Sequence, residues 1–374
     1  MKQLLLWTNM YPTSCAPFYG TFVRSTERAW KQMIGENNVS LVAIRNKPTS
    51  KLSKITLYTD LMIRCILSIF SQPKNAMLEI HYPVYFLPVL FLNKLLCRKR
   101  YIVLRFHGSD LKKITGSRFF TVLFNAIKGS VDLYVVPSDY YREKVSSELK
   151  IPIEKVIKVF PDCVGDEFFV RGNVDKNELQ KDSDTFHIGF VSRLETVKNC
   201  HELIEAFAKL SISSAKLTIV GDGSQRASLE SLSKQLGIAE KVEFKGALAR
   251  EELPVIMAMF DVFVFPSVSE TESFGLVALE ALACGTPVIA NNQLKAANEY
   301  LDNDRNGYFY NDGAEGLSRA LKRYYAMSPD AKADMSEEAK KVRQKFSFHN
   351  VFSVGVESIL SRQQTDHQKT NGKG

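Results

Sequence analysis

Two kinds of segment alternate along this chain, and the alternation constrains the fold more than any other feature. Short apolar runs, typical of buried strands, are separated by longer amphipathic stretches, typical of helices. Strands and helices that alternate in this way form a parallel sheet covered by helices on both faces. In the first half of the chain the predicted strands are residues 4–7, 39–44, 76–80, 101–106, 133–136 and 156–160.

A polar stretch, residues 171–184, interrupts this alternation and predicts a linker. With 374 residues the chain is long enough for two hydrophobic cores. We therefore expect an α/β protein of two Rossmann-like domains, residues 1–170 and 185–345, with residues 346–374 forming a helix that returns to the first domain and then a frayed polar tail. In the second domain the predicted strands are residues 186–191, 216–220, 242–244, 261–265 and 287–290.

The net charge of +8 is spread unevenly, because residues 1–170 alone carry an excess of 11 basic side chains over acidic ones. Four of these, Lys94, Arg98, Lys99 and Arg100, follow an apolar run, and Arg64 interrupts another. Basic side chains beside apolar helices suit an anionic membrane surface, which we expect as a partner of this domain; a solvated rim on a core helix is the alternative. No module typical of nucleic-acid binding occurs, so nucleic acid is not expected as a partner.

The N-terminal apolar run is too short for a signal peptide, and no apolar run reaches the length of a spanning helix. The six cysteines form no Cys-x-x-Cys pair, which favours buried thiols in a reducing compartment over a disulfide framework or a zinc site. We expect a cytoplasmic protein that associates peripherally with the cytoplasmic face of a membrane.

Residues 270–290 are the part of the sequence most informative about function. Gly275 opens a predicted apolar helix, with Glu272 before the first turn and Glu280 about one and a half turns along it. Ser273 also stands where a helix cap is favoured. The amides at the start of this helix have no partner within it and predict an anion site. These amides belong to Phe274, Gly275, Leu276 and Val277.

Along this segment a carboxylate is followed by free amides and then by a second carboxylate. This order suits a ligand that has hydroxyl groups at both ends and phosphate between them. A sugar nucleotide has that layout. The alternative is a capped, half-buried helix with a solvated Glu280. Further segments after predicted strands favour the ligand, because ligands of open parallel sheets lie outside the carboxyl ends of the strands.

Two such segments belong to the second domain. Arg193 and Lys198 follow its first strand at the start of a predicted helix, where cations oppose the helix dipole unless an anion is bound. Gly221-Asp-Gly223 follows the second strand and predicts a tight turn that lets the backbone approach a ligand. Because Arg226 breaks the Gly-x-Gly-x-x-Gly pattern, this is not a dinucleotide fingerprint.

In the first domain, His107-Gly-Ser-Asp110 follows a predicted strand. The ring of His107 can donate a hydrogen bond to a ligand hydroxyl or carbonyl group. The alternative is a histidine that closes its own turn against Asp110. A second segment, residues 9–20, ends in Gly20.

In this order and spacing, these segments resemble the retaining glycosyltransferases of family four, which have the GT-B fold of two Rossmann-like domains facing across a cleft. The most specific match is Glu272-Ser-Phe-Gly-Leu-Val-Ala-Leu-Glu280. Supporting matches are Ser192-Arg-Leu194 with Lys198, Val220-Gly-Asp-Gly223, Phe265-Pro-Ser267, Gly285-Thr-Pro-Val288, Asn306-Gly307, His107-Gly-Ser-Asp110, and Tyr11-Pro with Gly20-Thr-Phe-Val23. The chain departs from the family pattern at Ser192, at Asn199, in residues 162–166 and in residues 291–295.

The resemblance implies a role for each position. Glu280 would bind the ribose hydroxyls, Arg193 and Lys198 the diphosphate, and the amides of the Gly275 helix the phosphate or sugar hydroxyls. Glu272 would face the donor sugar, and His107 would reach a sugar hydroxyl. Gly221 and the Gly20 loop would lie against the donor, and Asp110 on the acceptor side. No metal or cofactor is expected, and a double displacement by Glu272 or Asp110 stays open.

We therefore expect a retaining, metal-independent transferase that moves a hexose from a UDP- or GDP-linked donor. The expected acceptor is a lipid-linked oligosaccharide or polysaccharide of the cell envelope, as in O-antigen, capsule, exopolysaccharide or lipopolysaccharide biosynthesis. Two alternatives remain: a nucleotide-sugar epimerase on the same fold, and a catalytically silent scaffold that binds polyanions or lipids.

Overall fold

The chain forms two compact units in a computed structural model that describes residues 3–13, 19–46, 50–96, 100–171, 184–268, 272 and 274–371. The first unit comprises Met1–Cys163 together with Phe348–Gly374, and the second comprises Val164–Ser347.

The first unit is built on a parallel sheet of six strands in the order β2-β1-β3-β4-β5-β6. All side chains of β1 and β3 are buried, as expected of strands covered on both faces. Each strand coincides with a predicted apolar run within a few residues. The strands are β1 (Leu4–Thr8), β2 (Val39–Ala43), β3 (Met77–His81), β4 (Ile102–Arg105), β5 (Leu133–Val136) and β6 (Val156–Lys158).

Helices connect these strands and enclose a core that includes the fully buried rings of Trp7, Phe86 and Phe106. Because β1 pairs with β2 on one side and with β3 on the other, the strand order reverses beside β1. The helices are α1 (Thr21–Ile34), α2 (Lys51–Ser71), α3 (Leu87–Leu95), α4 (Ser109–Thr115), α5 (Arg118–Ile127) and α6 (Asp139–Leu149).

The second unit repeats the design with a parallel sheet in the order β12-β11-β10-β7-β8-β9. Here the strand order reverses beside β7, which pairs with β8 on one side and with β10 on the other. The strands are β7 (Phe186–Val191), β8 (Ala215–Val220), β9 (Val242–Gly246), β10 (Val262–Phe265), β11 (Val288–Asn291) and β12 (Gly307–Tyr310). The helices are α7 (Asp166–Arg171), α8 (Cys200–Ala208), α9 (Arg226–Gln235), α10 (Leu253–Met259), α11 (Leu276–Ala283), α12 (Gly313–Tyr325), α13 (Pro329–Lys340) and α14 (Val342–Lys345).

Strand β12 is the element that sequence reasoning missed. Its four residues, Gly307–Tyr310, follow an Asn-Gly pair that indicates a turn. The strand exists because it pairs with β11, where a Cβ atom on Gly307 would lie 1.9 Å from the carbonyl oxygen of Val288. Glycine is therefore required there for two backbones to approach each other.

The ends of the units differ from the predicted domain limits. The second unit begins at Val164, before the predicted limit at residue 170, because the Val164 amide bonds to the carbonyl oxygen of Phe346 and Phe168 is fully buried. The C-terminal helix α15 (Val354–Asn371) belongs to the first unit and continues beyond the point where fraying was predicted. Its Asp366 accepts a hydrogen bond from the Tyr101 hydroxyl at 2.9 Å.

Candidate functional site

The site residues of the second unit follow strands that meet where the strand order reverses. The segment that carries Arg193 and Lys198 follows β7, and Glu272 comes after β10, the neighbouring strand. In open parallel sheets this reversal leaves a crevice at the carboxyl ends of the strands, and ligands bind there.

Lys198 and Glu272 form an ion pair, in which the Lys198 Nζ donates to Glu272 Oε2. The two side chains are 15% and 18% exposed, and Nζ lies 5.9 Å from the centre of the Phe265 ring. The pair is therefore partly withdrawn from water, which strengthens the attraction between its charges. An anion that binds to Lys198 must compete with this carboxylate.

Arg193 is exposed and has no carboxylate partner among the residues that the structure describes. Glycine residues of the next turn hold its backbone in place. A Cβ atom on Gly221 would lie 1.8 Å from the Ser192 carbonyl oxygen, and one on Gly223 would lie 2.5 Å from the Leu194 carbonyl oxygen. Gly221 thus makes a close backbone-to-backbone approach that positions the Arg193 turn, and its approach to a ligand stays a prediction.

Asn199 explains one departure from the family pattern. It has a left-handed backbone with φ of 57°, which asparagine tolerates better than most residues other than glycine. Its side chain donates to the Pro266 carbonyl oxygen at 3.2 Å and to Glu202 at 2.8 Å. The residue therefore ties the end of the Lys198 segment to the segment that follows β10.

Helix α11 begins as predicted. Gly275 is its N-cap with φ of 82°, and the hydroxyl of Tyr300 donates to the Phe274 carbonyl oxygen at 2.9 Å. The first helical hydrogen bond runs from the Ala278 amide to the Gly275 carbonyl oxygen. The amides of Leu276 and Val277 precede that bond and are available to an anion. Ser273 lies outside the described residues.

Glu280 is buried and paired with a residue that sequence reasoning missed. Arg250 donates to Glu280 Oε1 at 2.8 Å and to Glu167 Oε1 at 3.1 Å. Burial raises the pKa of Glu280, and the guanidinium of Arg250 opposes that rise. In the sequence, Arg250 precedes two glutamates in a polar segment, and nothing local indicates its partner. The alternative of a solvated Glu280 is therefore excluded.

In the first unit, the half-buried His107 continues a row of side chains formed with the buried His81 and Glu79. Its Nε2 lies 3.1 Å from Nδ1 of His81, and Nε2 of His81 lies 3.4 Å from Oε1 of Glu79. Glu79 also accepts from Arg105 at 2.8 Å and from the Trp30 ring at 2.6 Å. Burial, with the Arg105 charge beside the rings, lowers the pKa of both histidines.

The contacts of His81 favour one arrangement of protons. Nε2 of His81 faces the Glu79 carboxylate at 3.4 Å without hydrogen-bond geometry, which favours a proton on that nitrogen and leaves Nδ1 to accept from Nε2 of His107. Nδ1 of His107 then presents a lone pair to which a ligand hydroxyl can donate. The contact between the His107 ring and a ligand stays a prediction.

Asp110 is fully buried, and its carboxylate accepts from the amides of His107, Gly108 and Leu111 at 2.9–3.0 Å. Burial raises its pKa to about 6, while these amides oppose the rise. The alternative in which Asp110 closes the turn is therefore the one observed, although through the amide of His107 and not its ring. The geometry gives no support to Asp110 as an acceptor contact or nucleophile.

Gly20 also makes a backbone contact. Its φ is 78°, and a Cβ atom there would lie 3.0 Å from the carbonyl carbon of Met10. Residues 14–18 of its loop are outside the described residues, so the predicted closure beneath a donor stays a prediction. Among the described residues, no group of three or more histidine, cysteine, aspartate or glutamate side chains is placed to hold a metal ion.

Residues 173–342, which lie within the second unit, match the sequence profile of the family described as Glycosyl transferases group 1. This match spans fewer than half of the 374 residues of the chain. An uncharacterised glycosyltransferase of Methanocaldococcus jannaschii is 30% identical over 58% of this chain and 57% of its own length. A lipopolysaccharide core biosynthesis glycosyltransferase of Rhizobium meliloti is 32% identical over 41% of this chain and 43% of its own. The chain thus spans about half the length of these curated relatives.

The fold extends beyond the matched segment. HepE of Anabaena, solved with UDP and glucose, covers 96% of this chain and 100% of its own with a TM-score of 0.70 and 18% identity. This likeness shows a common fold, the GT-B fold. Among the described residues, no helix is long and apolar enough to cross a membrane.

Proposed function

We propose that this protein transfers a hexose, with retention, from a nucleoside-diphosphate sugar to an acceptor of the cell envelope. The observation that carries the proposal is the arrangement after β7 and β10. The segment after β7 carries Lys198 and also Arg193, which has no carboxylate partner among the described residues. The segment after β10 carries Glu272, which pairs with Lys198, and it leads into α11 with its free amides. This set offers two cations and a helix N-terminus to a diphosphate.

The chemistry that this set can perform is stabilisation of a leaving group. When the bond between the anomeric carbon and the diphosphate breaks, negative charge develops on the phosphate oxygens, and Arg193, Lys198 and the amides of α11 lower its energy. The acceptor hydroxyl attacks the face that the diphosphate leaves, and its proton passes to a phosphate oxygen. A double displacement through Glu272 remains the competing mechanism.

For the donor we propose a UDP- or GDP-linked hexose that needs no metal. The UDP in the HepE structure supports a uridine nucleotide. For the acceptor we propose a lipid-linked oligosaccharide or polysaccharide, supported by the lipopolysaccharide core enzyme among the relatives.

An exposed apolar face on α2 supports a membrane location for that acceptor. Large apolar side chains lie along one side of this helix, opposite the side that packs on the core. They are Leu52 (74% exposed), Ile55 (65%), Ile63 (51%), Leu67 (61%) and Phe70 (53%). Exposed lysines stand at the ends of the helix, Lys51 and Lys54 at one and Lys74 beyond the other. An apolar face with lysines at its ends fits an anionic bilayer surface, on the cytoplasmic face of the membrane.

The basic group predicted for this surface needs correction. Arg100 is only 6% exposed, and its guanidinium donates to the carbonyl oxygens of Ile69 and Gln72 at the end of α2. It therefore closes a helix end and does not face a membrane. Lys94 is exposed and donates to the Ala126 carbonyl oxygen, while Arg98 and Lys99 lie outside the described residues.

Vesicle sedimentation tests the membrane part. We expect the wild type to sediment with vesicles that contain anionic lipid and a double variant, Leu67→Ser with Phe70→Ser, to bind at least tenfold more weakly. Leu236→Ser, an exposed apolar position of the second unit, is the matched control and should bind normally. Equal sedimentation of all three proteins would remove the α2 face from the proposal.

A thermal-shift panel of UDP, GDP, ADP and CMP with their sugar conjugates tests the donor part. We expect one nucleotide class to raise the melting temperature of the wild type and not that of Glu280→Ala. Incubation with the matching donor should then release nucleotide only when acceptor is present. Release of a rearranged sugar nucleotide without acceptor would indicate an epimerase, and no shift with any nucleotide would indicate a scaffold.

A further inference from the structure

A cavity of about 330 Å³ opens in the first unit at the carboxyl end of its sheet. Its walls come from segments that follow β1, β2, β3 and β4, so it lies where the strand order reverses beside β1. That is the position at which open parallel sheets bind ligands. Of the segments singled out in the sequence, residues 9–20 contribute Asn9, Met10 and Tyr19 to its wall, and His107-Gly-Ser-Asp110 contributes Ser109. We call it the tyrosine pocket, after its principal lining residues Tyr19, Tyr58, Tyr82, Tyr85, Lys54 and Lys113.

Aromatic rings make up much of the wall. The rings of Tyr58 and Tyr85 meet edge to face with centres 4.9 Å apart, and those of Tyr82 and Tyr85 stack at 5.7 Å. Tyrosine offers an apolar ring face together with a hydroxyl group that can hydrogen-bond. A sugar ring matches this wall, because its C–H face packs on aromatic rings while its hydroxyl groups bond at the edge.

The pocket also carries uncompensated positive charge. Nζ of Lys113 donates to the Tyr85 hydroxyl at 2.9 Å and lies 5.0 Å from the centres of both the Tyr82 and Tyr85 rings. Lys54 lines the same cavity from the first turn of α2. Neither lysine has a carboxylate partner among the described residues, and no acidic side chain lines the pocket there. Two ammonium groups in such a place favour an anionic ligand.

One buried polar atom in the wall has no partner. Asn9 is 4% exposed, and its Nδ2 donates to the Tyr58 hydroxyl at 3.2 Å. Its Oδ1 is buried without a hydrogen bond among the described residues. A buried acceptor left unpaired costs free energy, and a ligand hydroxyl that reached it would recover that cost. Tyr58 stays protonated as a donor, because burial raises its pKa to about 12.

We propose that the tyrosine pocket binds a sugar ring that carries a phosphate group, and that this sugar phosphate belongs to the acceptor. The tyrosine rings hold the sugar, and Lys54 and Lys113 hold the phosphate. That this ligand is the acceptor rests on the proposed function, whereas its binding in the pocket does not. The phosphate belongs either to a free sugar phosphate or to the phosphate that links a sugar to a lipid.

Calorimetric titration of the full chain tests the assignment. The probes are glucose 1-phosphate, methyl glucoside and inorganic phosphate. We expect glucose 1-phosphate to bind most tightly, and Lys54→Ala and Lys113→Ala each to weaken it about tenfold while leaving methyl glucoside unchanged. Lys112→Ala is the matched control, since it removes an exposed lysine next to Lys113 that does not line the pocket.

Equal affinity for the phosphorylated and neutral sugars, or full binding by the Lys54 and Lys113 variants, would overturn the proposal. A second experiment adds vesicles that carry a polyprenyl phosphosugar. If these vesicles displace glucose 1-phosphate, the phosphate belongs to a lipid-linked acceptor. If they do not, it belongs to a free sugar phosphate. A UDP titration on the same samples separates the two hypotheses. If the protein binds UDP but no sugar phosphate, the tyrosine-pocket proposal is wrong and the donor assignment stands. If it binds a sugar phosphate but not UDP, the donor assignment is wrong and the tyrosine-pocket proposal stands.

Discussion

At the scale of single residues, the charged groups of this protein act through partners distant in sequence. Glu280 is the clearest case, because its buried carboxylate pairs with Arg250, which also contacts Glu167. A buried carboxylate that loses its counter-charge is costly, whereas the neutral amide of glutamine in its place needs no counter-charge.

We expect Arg250→Ala to lower the free energy of unfolding by about 1–3 kcal/mol, because it leaves the Glu280 charge unpaired. The double variant Arg250→Ala with Glu280→Gln should recover part of that loss. Denaturant unfolding measures both. If the double variant is as unstable as the sum of the single variants, the Arg250–Glu280 pair does not stabilise the unit.

Glu272 and Glu280 should differ in their kinetic effect. On the proposed assignment Glu272 faces the reacting sugar, so Glu272→Ala should lower kcat about tenfold or more with little change in KM. On the same assignment Glu280 contacts the nucleotide, so Glu280→Ala should raise KM for the donor. Steady-state kinetics with varied donor measures both parameters, and equal losses of both in each variant would contradict this division.

The histidine chain predicts a pH dependence of stability. Because the pKa values of His81 and His107 are lowered in the folded state from an ordinary 6.5, the unfolded state binds more protons below that pH. Stability should therefore be full above pH 7 and should fall between pH 7 and 5, by at most about 1.4 kcal/mol per pH unit for each histidine.

Two nearby acids modify this profile. Burial raises the pKa of Asp110 to about 6, so the folded state binds a proton there below pH 6, which opposes the loss of stability. Arg105 and His81 outweigh burial and hold the pKa of Glu79 at about 2. Protonation of Glu79 therefore adds to the loss of stability only below about pH 4.5. Two histidines outnumber one aspartate, so the net slope stays positive. His107→Gln should flatten it, measured by denaturant unfolding at each pH; an unchanged slope would show that His107 does not titrate.

At the scale of elements, the turns after strands decide the site. The turn at Gly221 and Gly223 packs directly on the Arg193 turn, and the Leu194 amide bonds to the Asp222 carbonyl oxygen at 2.9 Å. The glycines therefore act on the site through the backbone of another turn.

Gly221→Ala tests this packing. Its φ of 129° is unfavourable for alanine, and the added Cβ atom would overlap the Ser192 carbonyl oxygen. We expect a loss of about 2–4 kcal/mol of stability and a smaller nucleotide-induced shift of the melting temperature. Gly129→Ala, where no atom lies within 4 Å, is the control and should be nearly neutral. A Gly221 variant that matches this control would refute the contact.

At the scale of the whole molecule, each unit carries its own site at the reversal of its own strand order. In the second unit the segments that would respond to nucleotide are residues 192–199 and 274–280. Saturation with the correct nucleotide at a hundred times its dissociation constant should add about 2.7 kcal/mol of stability.

Hydrogen exchange shows where that stabilisation is located. We expect nucleotide to slow exchange at the amides of residues 192–199 and 274–280, and Glu280→Ala to lose the protection at the same ligand concentration. Protection confined to other parts of the second unit would move the donor site away from the reversal beside β7.

The sequence by itself determined the two-domain α/β organisation, the parallel strands other than β12, the glycine that caps α11 and the segments after strands that carry the site. These follow from patterns within a few residues, such as apolar period and capping, which act along the chain. Only the tertiary structure decided that Lys198 pairs with Glu272, Arg250 with Glu280 and His107 with His81, that Arg100 is buried, and that the tyrosine pocket exists. Lys198 and Glu272 are 74 residues apart, and such pairs form because parallel sheets bring distant segments to one edge.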